Sequence, residues 1–421
     1  MMFASIARLV VTGLIPAIVF AEAGCAQERA SQGMAAARGA QLLQTEDETR
    51  WFRNVRQLTF KKMGLDRSGE AYFSWDMKRI AFQAYPPGKD TYQIYVMNLD
   101  GSGLQMVSTG EGATTCSYFH PDGKRMLFAS NHLDQRLPEK PEEFDVKHSG
   151  GTQHPGEAQS DQPGGHPGGR AAKHPAGHPG QDPAGHPGQR PRHGGADAYA
   201  WVYYPGMDMF EYTFATGVLR QLTSVDRYDA EGSYSPDGKH IVFSSFRDGD
   251  QEIYICDADG KNPRRITHAK GRDGGPFFSP DGKRICYRSG RRGDEMLQIY
   301  VNNVAGSDER ALTDNEMLNW CPFWHPSGKW LIFTRADFRG RPNFDLYLIR
   351  DDGSETHRVT THAAFDGLPV FSPDGRYLMW TSKRNGLDSP QVFVAEFVGL
   401  TAGGELVAPA GEGGGAARRQ P

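Results

Sequence analysis

The sequence predicts an all-β fold, a six-bladed β-propeller, and three observations predict it. A unit built around Pro-Asp-Gly recurs along the chain, each unit holds four short β-rich runs, and the fourth run missing from the last unit stands ahead of the first.

Aligned on the Asp of Pro-Asp-Gly, the anchors are Asp76, Asp122, Asp237, Asp281, Ser327 and Asp374, with Asp76 (FSWDMKRIAFQA) and Ser327 (WHPSGKWLIFTR) as weaker copies. Their intervals are 44 to 47 residues, apart from one of 115 between Asp122 and Asp237. Within a unit, Pro presets φ for a turn, Asp caps it and Gly accepts φ > 0, so the motif is a tight hairpin turn. In the third unit a run HIVFSS follows, then a polar loop, a second run EIYICD, another turn and a closing RRIT. Four such runs per ~45 residues describe one propeller blade, with strands A to D numbered outwards from the axis.

The ends support the count of six. The last unit stops after QVFVAEF, Gln391 to Phe397, and lacks its fourth strand. The segment NVRQLTF, Asn54 to Phe60, precedes the first anchor and supplies it. Pairing the two ends closes the ring and removes an open edge.

Residues 1–25 read as an export signal: one Arg, an apolar run from Leu9 to Ala21, then small residues up to Cys25. Ala21-Glu-Ala23 suits ordinary cleavage, whereas Ala23-Gly24-Cys25 resembles a bacterial lipoprotein signal and would put a lipid anchor on Cys25. Residues 26–50 read as a linker, 51–399 as the propeller and 400–421 as a disordered tail. The long interval holds a Pro/Gly/His-rich insertion at about 139–200, whose composition cannot offset its ordering entropy. Seven of the fourteen His lie there without fixed spacing or a Cys partner, which favours low-complexity expansion over a metal site. The other four Cys are expected to be mostly free, buried thiols, Cys256 with Cys286 being the one pairing left open. A net charge of −4 gives no argument for nucleic acid.

In a propeller the D-to-A and B-to-C loops emerge on one face. Eight residues before each anchor, the D-to-A position holds Ser68, Thr114, Asp229, Asp273, Asn319 and Asp366. Ten residues after, the B-to-C position holds His132, Arg247, Arg291, Asp337 and Arg384. The expectation is an inner ring of oxygen ligands and an outer set of cations around one channel mouth, with Trp320 as an aromatic contact. Asp, Asn, Ser and Thr also satisfy backbone N–H groups in turns, a role that would recur in every blade and is compatible with ligand contact. No Gly-x-Ser-x-Gly elbow, His-Glu-x-x-His helix or phosphate-binding Gly loop occurs, so no catalysis and no cofactor is expected.

SPDGKxIxFxS followed by EIYxxDxDGxxxxxLT resembles the TolB-like propeller repeat of bacterial envelope proteins, over Trp51 to Phe397 apart from the insertion. The resemblance implies a periplasmic or otherwise extracytoplasmic monomer. Its channel mouth would bind an envelope protein, such as the peptidoglycan-associated lipoprotein of the Tol-Pal system, or peptidoglycan or another polysaccharide. The α/β domain that TolB carries ahead of its propeller is not matched here. The repeats also resemble oligogalacturonate lyases, which implies as the alternative a propeller-only polysaccharide lyase or hydrolase with a metal on His; His325 and His362 match that pattern loosely.

Overall fold

The computed structural model describes residues 43–134, 204–340 and 342–408. The segment read as an export signal, the His-rich insertion, most of the expected linker and the end of the tail lie outside the described residues. Six four-stranded antiparallel sheets form the molecule, each ordered A-B-C-D, and the innermost strands of successive blades touch around the ring. In the last blade the order is Asp366–Phe371, Tyr377–Ser382, Gln391–Phe397 and then Phe52–Gln57. The first strand of the chain therefore closes the ring, pairing Phe52 with Phe397 and Gln57 with Phe393.

Two recurring bonds explain the spelling of the repeat. In SPDG the Ser235 hydroxyl donates to Asp237 Oδ1 at 2.6 Å, and the same oxygen accepts the Lys239 N–H at 3.1 Å. Ser74, Ser279 and Ser372 do the same in their turns. The Gly sits at φ 68 to 73° in five turns, a region open to Gly at little cost. Met77 takes that place in the first blade at φ 60°. The Leu-Thr ending has an equally local cause. Thr223, Thr267, Thr313 and Thr360 accept the N–H of Met209, Ile253, Ile299 and Leu346 on the neighbouring strand at 2.8 to 2.9 Å. Ser108 holds Ile94 likewise at 2.9 Å. Thr59 completes the set by holding Val392 at 2.9 Å, across nearly the whole length of the chain.

Aromatic and branched residues fill the space between sheets. At the closure Phe52 stacks on Trp380 with ring centroids 5.2 Å apart, and Trp51, Trp330 and Phe393 join the same cluster. All four described cysteines are free: Cys116, Cys256 and Cys286 are buried and Cys321 is half-buried.

Two segments differ from expectation. The end of the linker forms a short 3₁₀ turn, Asp47–Arg50, and buries Glu48. Residues 400–408, assigned on composition to a disordered tail, pack against the fifth and sixth blades. Leu400 is buried and bridges Leu406, and the Gly404 carbonyl accepts the buried Trp330 indole N–H at 2.8 Å. A buried indole N–H needs an acceptor, and this stretch supplies it.

If end closure limits stability, Thr59→Val should cost about 1–2 kcal/mol, the value for losing one buried hydrogen bond and no less than Thr267→Val costs. Urea denaturation of the two variants measures this; a negligible loss at Thr59 would show that the closing strand can be freed without consequence.

Candidate functional site in the axial channel

The residues expected to ring the mouth are brought together, but blade by blade and mostly under cover. Asp229, Asp273, Asn319 and Asp366 are fully buried. Each holds a basic side chain of its own blade: Arg247 reaches Asp229 at 2.8 Å, Arg291 reaches Asp273 at 3.1 Å and Arg384 reaches Asp366 at 2.6 Å. In the fifth blade the cation is Arg335, which donates to Asn319 at 2.8 Å, while Asp337 turns outwards to Arg339. Arg247, Arg291 and Arg335 also lie over Tyr254, Tyr300 and Tyr347 of their third strands. His132 stacks on Phe210 in the equivalent slot, and Ser68 and Thr114 are buried. Trp320 packs with Leu318 and Phe344 and also lines the axial chamber. The predicted inner and outer sets are thus partners of each other, tying strand A to the B-to-C loop. The physical reason is that a buried carboxylate needs a counter-charge, and the nearest cation is in the same sheet. Arg247, Arg291, Arg335, Asp337 and His132 keep part of their surface exposed.

The sixth blade carries this furthest. Arg384 is fully buried and receives both oxygens of Glu48 at 2.7 Å, Asp366 at 2.6 and 3.0 Å, and the Leu43 carbonyl at 2.6 Å. Burial opposes ionisation of Glu48, but the Arg384 hydrogen bonds and charge outweigh it and hold its carboxyl below the ordinary value.

The residues that face the axis stand two positions further along. Every innermost strand breaks register there, and the bulged residue has positive φ: Glu70 (45°), Cys116 (55°), Glu231 (57°), Gly275 (60°), Cys321 (51°) and Leu368 (56°). Five of the six are not Gly, and such backbone is costly for side chains. The bulge turns these side chains into a chamber of about 40 Å³ lined by Glu70, Cys116, Glu231, Cys321 and Leu368. Arg288 takes the place that Gly275 leaves open: a Cβ on Gly275 would lie 2.3 Å from Arg288 Nη1.

The second strands support this ring from the neighbouring blade. Thr381 accepts the Glu70 N–H at 3.0 Å and Thr334 the Leu368 N–H at 3.2 Å. Arg288 binds Glu231 at 2.6 Å, and Ser244 and the Gly275 N–H add bonds of 2.7 and 2.8 Å. Burial works against the Glu231 charge, yet Arg288 and these donors outweigh it and keep the carboxyl below its usual value. Glu70 goes the other way. Burial, with the Glu231 charge beside it, pushes its pKa up to about 7 against hydrogen bonds from Cys116 and Tyr72. Burial also pushes the Cys116 and Cys321 thiols up, so both are protonated near neutrality and are poor nucleophiles.

Below the chamber, four positions before the anchors of five blades, Tyr72, Tyr118, Phe277 and Phe323 interlock at centroid distances of 4.9 to 6.4 Å, with Val370 beside them; the third blade has Ser233 there. This aromatic layer divides the channel into a polar chamber and, on the side of the Pro-Asp-Gly turns, an apolar funnel of about 100 Å³. His325, one of the loosely matched His, lies on the turn side in the Ser slot of its motif, edge-on to Phe371, and burial lowers its pKa to about 4. His362 accepts the Ala364 N–H through its ring. Among the described residues no group of three or more His, Cys, Asp and Glu is placed to hold a metal ion, and no helix is long and apolar enough to cross a membrane.

The axial ring was missed because simple alternation carries the same strand face from position to position, whereas the bulge re-aims one side chain. A signal was nonetheless present, since these six positions hold four different residue types inside an otherwise repetitive unit.

Asp366→Ala leaves Arg384 with one carboxylate in a buried site and should destabilise by about 3–5 kcal/mol in thermal or urea unfolding. Glu70 supplies a pH test. Its folded pKa of about 7 lies above the ordinary Glu value of 4.5, so the native state binds a proton that the unfolded chain releases. That stability is present on the acid side and is lost as pH rises through about 7. Urea midpoints should therefore fall between about pH 5 and 8 in the parent and change less in Glu70→Gln.

Comparison with known proteins agrees with this architecture. Residues 200–340 and 298–404 match the family described as the TolB beta propeller domain. An uncharacterized protein of Agrobacterium fabrum is 38% identical over 104 residues, which is 25% of this chain and 35% of that protein. The match thus spans about a third of that curated relative's length. A structure from Agrobacterium tumefaciens assigned to TolB has a TM-score of 0.49 at 18% identity, covering 79% of this chain and 91% of that one. TolB from Acinetobacter baumannii has a TM-score of 0.49 at 17% identity, covering 77% and 64%. Oligogalacturonate lyase from Vibrio parahaemolyticus has a TM-score of 0.47 at 14% identity, covering 78% and 76%. With the family match running through the third to sixth blades and six sheets closed by the chain's own first strand, this protein is a TolB-like six-bladed β-propeller.

Proposed function

We propose that the chain is a non-enzymatic, exported propeller that binds an envelope protein or a peptidoglycan-like cell-wall component at the D-to-A mouth of its channel. It would act as a monomer outside the cytoplasm, in a TolB-like envelope role, held to the membrane if Cys25 is lipidated.

One observation carries the reading. Positions that only build the fold repeat from blade to blade, as the Asp-Gly turns and the Thr latches do. The six axial positions instead hold Glu, Cys, Glu, Gly with Arg288 in its place, Cys and Leu, in strained backbone. Strain kept at a convergent, polar, non-repeating ring is how a binding site is built. The exposed edges of Arg247, Arg291 and His132 supply polar contacts around it. The raised thiol pKa values and the Glu231–Arg288 pair favour recognition over bond-making, since no activated nucleophile faces the chamber.

Pull-down from bacterial envelope extract tests this, with the insertion deleted as a control. A partner retained by the parent should be recovered at least tenfold less with Glu70→Ala and with Arg247→Ala. Each variant should keep the parent's circular dichroism. Equal recovery by both well-folded variants would remove the D-to-A mouth as the binding surface.

A further inference from the structure

The opposite face carries a pattern that the channel mouth does not use. Two residues after each anchor stands a cation: Lys78, Lys124, Lys239, Lys283, Lys329 and Arg376. All six are exposed. Every blade places this residue at the exit of its Pro-Asp-Gly turn, so the six form a circle on the turn face. The chain as a whole has a net charge of −4, which makes the circle a local feature.

The carboxylates of the same turns offset it in part: Asp76, Asp237 and Asp374 lie 4.0, 3.8 and 2.7 Å from the charged ends of Lys78, Lys239 and Arg376. Asp76, Asp122, Asp237, Asp281 and Asp374 each spend one oxygen on the N–H of the cation's own backbone, at 2.8 to 3.1 Å. The fifth turn has Ser327 in that place and no acid at all. Arg79 stands next to the circle and adds charge, whereas the neighbouring Arg284 is paired with Asp351 at 2.8 Å.

Inside the circle lies the apolar funnel. Its rim is Pro236, Pro280, Pro326 and Pro373, and its floor is the aromatic layer of Tyr118 and Phe323. Rigid prolines and interlocked rings make a preformed concavity, which costs a ligand little reorganisation. A ring of long cations around a largely apolar hollow suits a ligand with an apolar group at its centre and negative charge beside it.

The chain itself shows the chemistry once. Glu405, on the ordered stretch after the last blade, lies on Lys329 at 3.0 Å. A single carboxylate on a turn of the chain therefore already pairs with one member of the circle, at the Pro-Ser-Gly turn that lacks its own acid. A membrane is a poorer match, because the large exposed apolar residues among those described are Met106, Leu133, Val218 and Val407, none of which lines the funnel.

From these placements we infer that the Pro-Asp-Gly face is a second docking surface, which takes an acidic polypeptide segment of a partner protein and seats one of its aromatic side chains in the funnel. Lys and Arg steer the segment through Coulomb attraction that salt weakens, and the funnel supplies the contact that salt does not.

The test uses the full chain with two labelled peptides, acetyl-Glu-Glu-Trp-Glu-Glu-amide and its Lys counterpart, followed by fluorescence anisotropy at low salt. The acidic peptide should bind at least tenfold more tightly than the basic one and weaken at least fivefold at half-molar NaCl. Lys239→Glu combined with Lys283→Glu should cost a further tenfold or more, while Glu70→Ala on the other side of the aromatic layer should change nothing here. The two lysines are exposed, and an unchanged melting temperature confirms that the variant is folded. Equal affinity for both peptides, no binding to either, or insensitivity to the double change overturns the assignment. Capture by phosphatidylglycerol vesicles without capture by the acidic peptide also overturns it and makes this a lipid-facing surface. Because the variants sit on opposite faces, failure here and failure of the channel-mouth reading are separately visible.

Discussion

A ring of sheets has no free edge only if its two ends pair, and that pairing is the constraint on which the rest of this molecule depends. Phe52–Gln57 lies along Gln391–Phe397, Thr59 latches Val392, and Glu48 locks onto the buried Arg384 of the last blade. Backbone bonds, a side-chain bond and a buried ion pair thus secure one seam by three different means. Without the seam the six inner strands would not share an axis, and the chamber and the funnel would lose their shape. Since hydrogen bonds and burial contribute only when groups are already positioned, the far ends of the chain act on every site between them.

Within the ring, repetition and variation do different things. The Ser-Asp-Gly turns, the Thr latches and the Asp–Arg pairs recur because six copies of one sheet need six copies of each local solution. At the axis the same symmetry would place six identical side chains in contact, and six like charges could not be buried together. The chain answers with two Glu, one Arg, two thiols and a Leu, arranged so that Glu231 and Arg288 neutralise each other while Glu70 sits close to its titration point. The aromatic layer beneath then isolates this polar chamber from the funnel. Two faces of one fold can consequently address chemically different partners without sharing a contact.

Much of this was legible in the residues. Spacing of the anchors led to six blades, and the displaced NVRQLTF led to the closure, because turn chemistry and strand pairing are local and repeat. The site was read less well. Asp229, Asp273, Asn319 and Asp366 were expected on the D-to-A loops and instead lie at the start of their innermost strands, where their destination is the Arg or the Asn–Arg contact of their own blade, since a fully buried carboxylate takes the nearest cation rather than waiting for a ligand. Glu70, Cys116, Glu231 and Cys321 escaped notice because a register shift of one residue decides which side chain meets the axis. Residues 400–408 escaped for a related reason, as Trp330 and Leu400 give this Gly-rich stretch a surface to pack on that composition does not record.

By itself the amino-acid order determined the blade count, the turn geometry and the way the ends meet, all of which follow from contacts between near neighbours or from a simple period. Tertiary structure alone decided which of the recurring polar residues are sealed in ion pairs and which look into the channel. The physical reason is that burial and counter-charge are properties of the assembled ring, where a bulge of one residue exchanges a hidden side chain for an axial one.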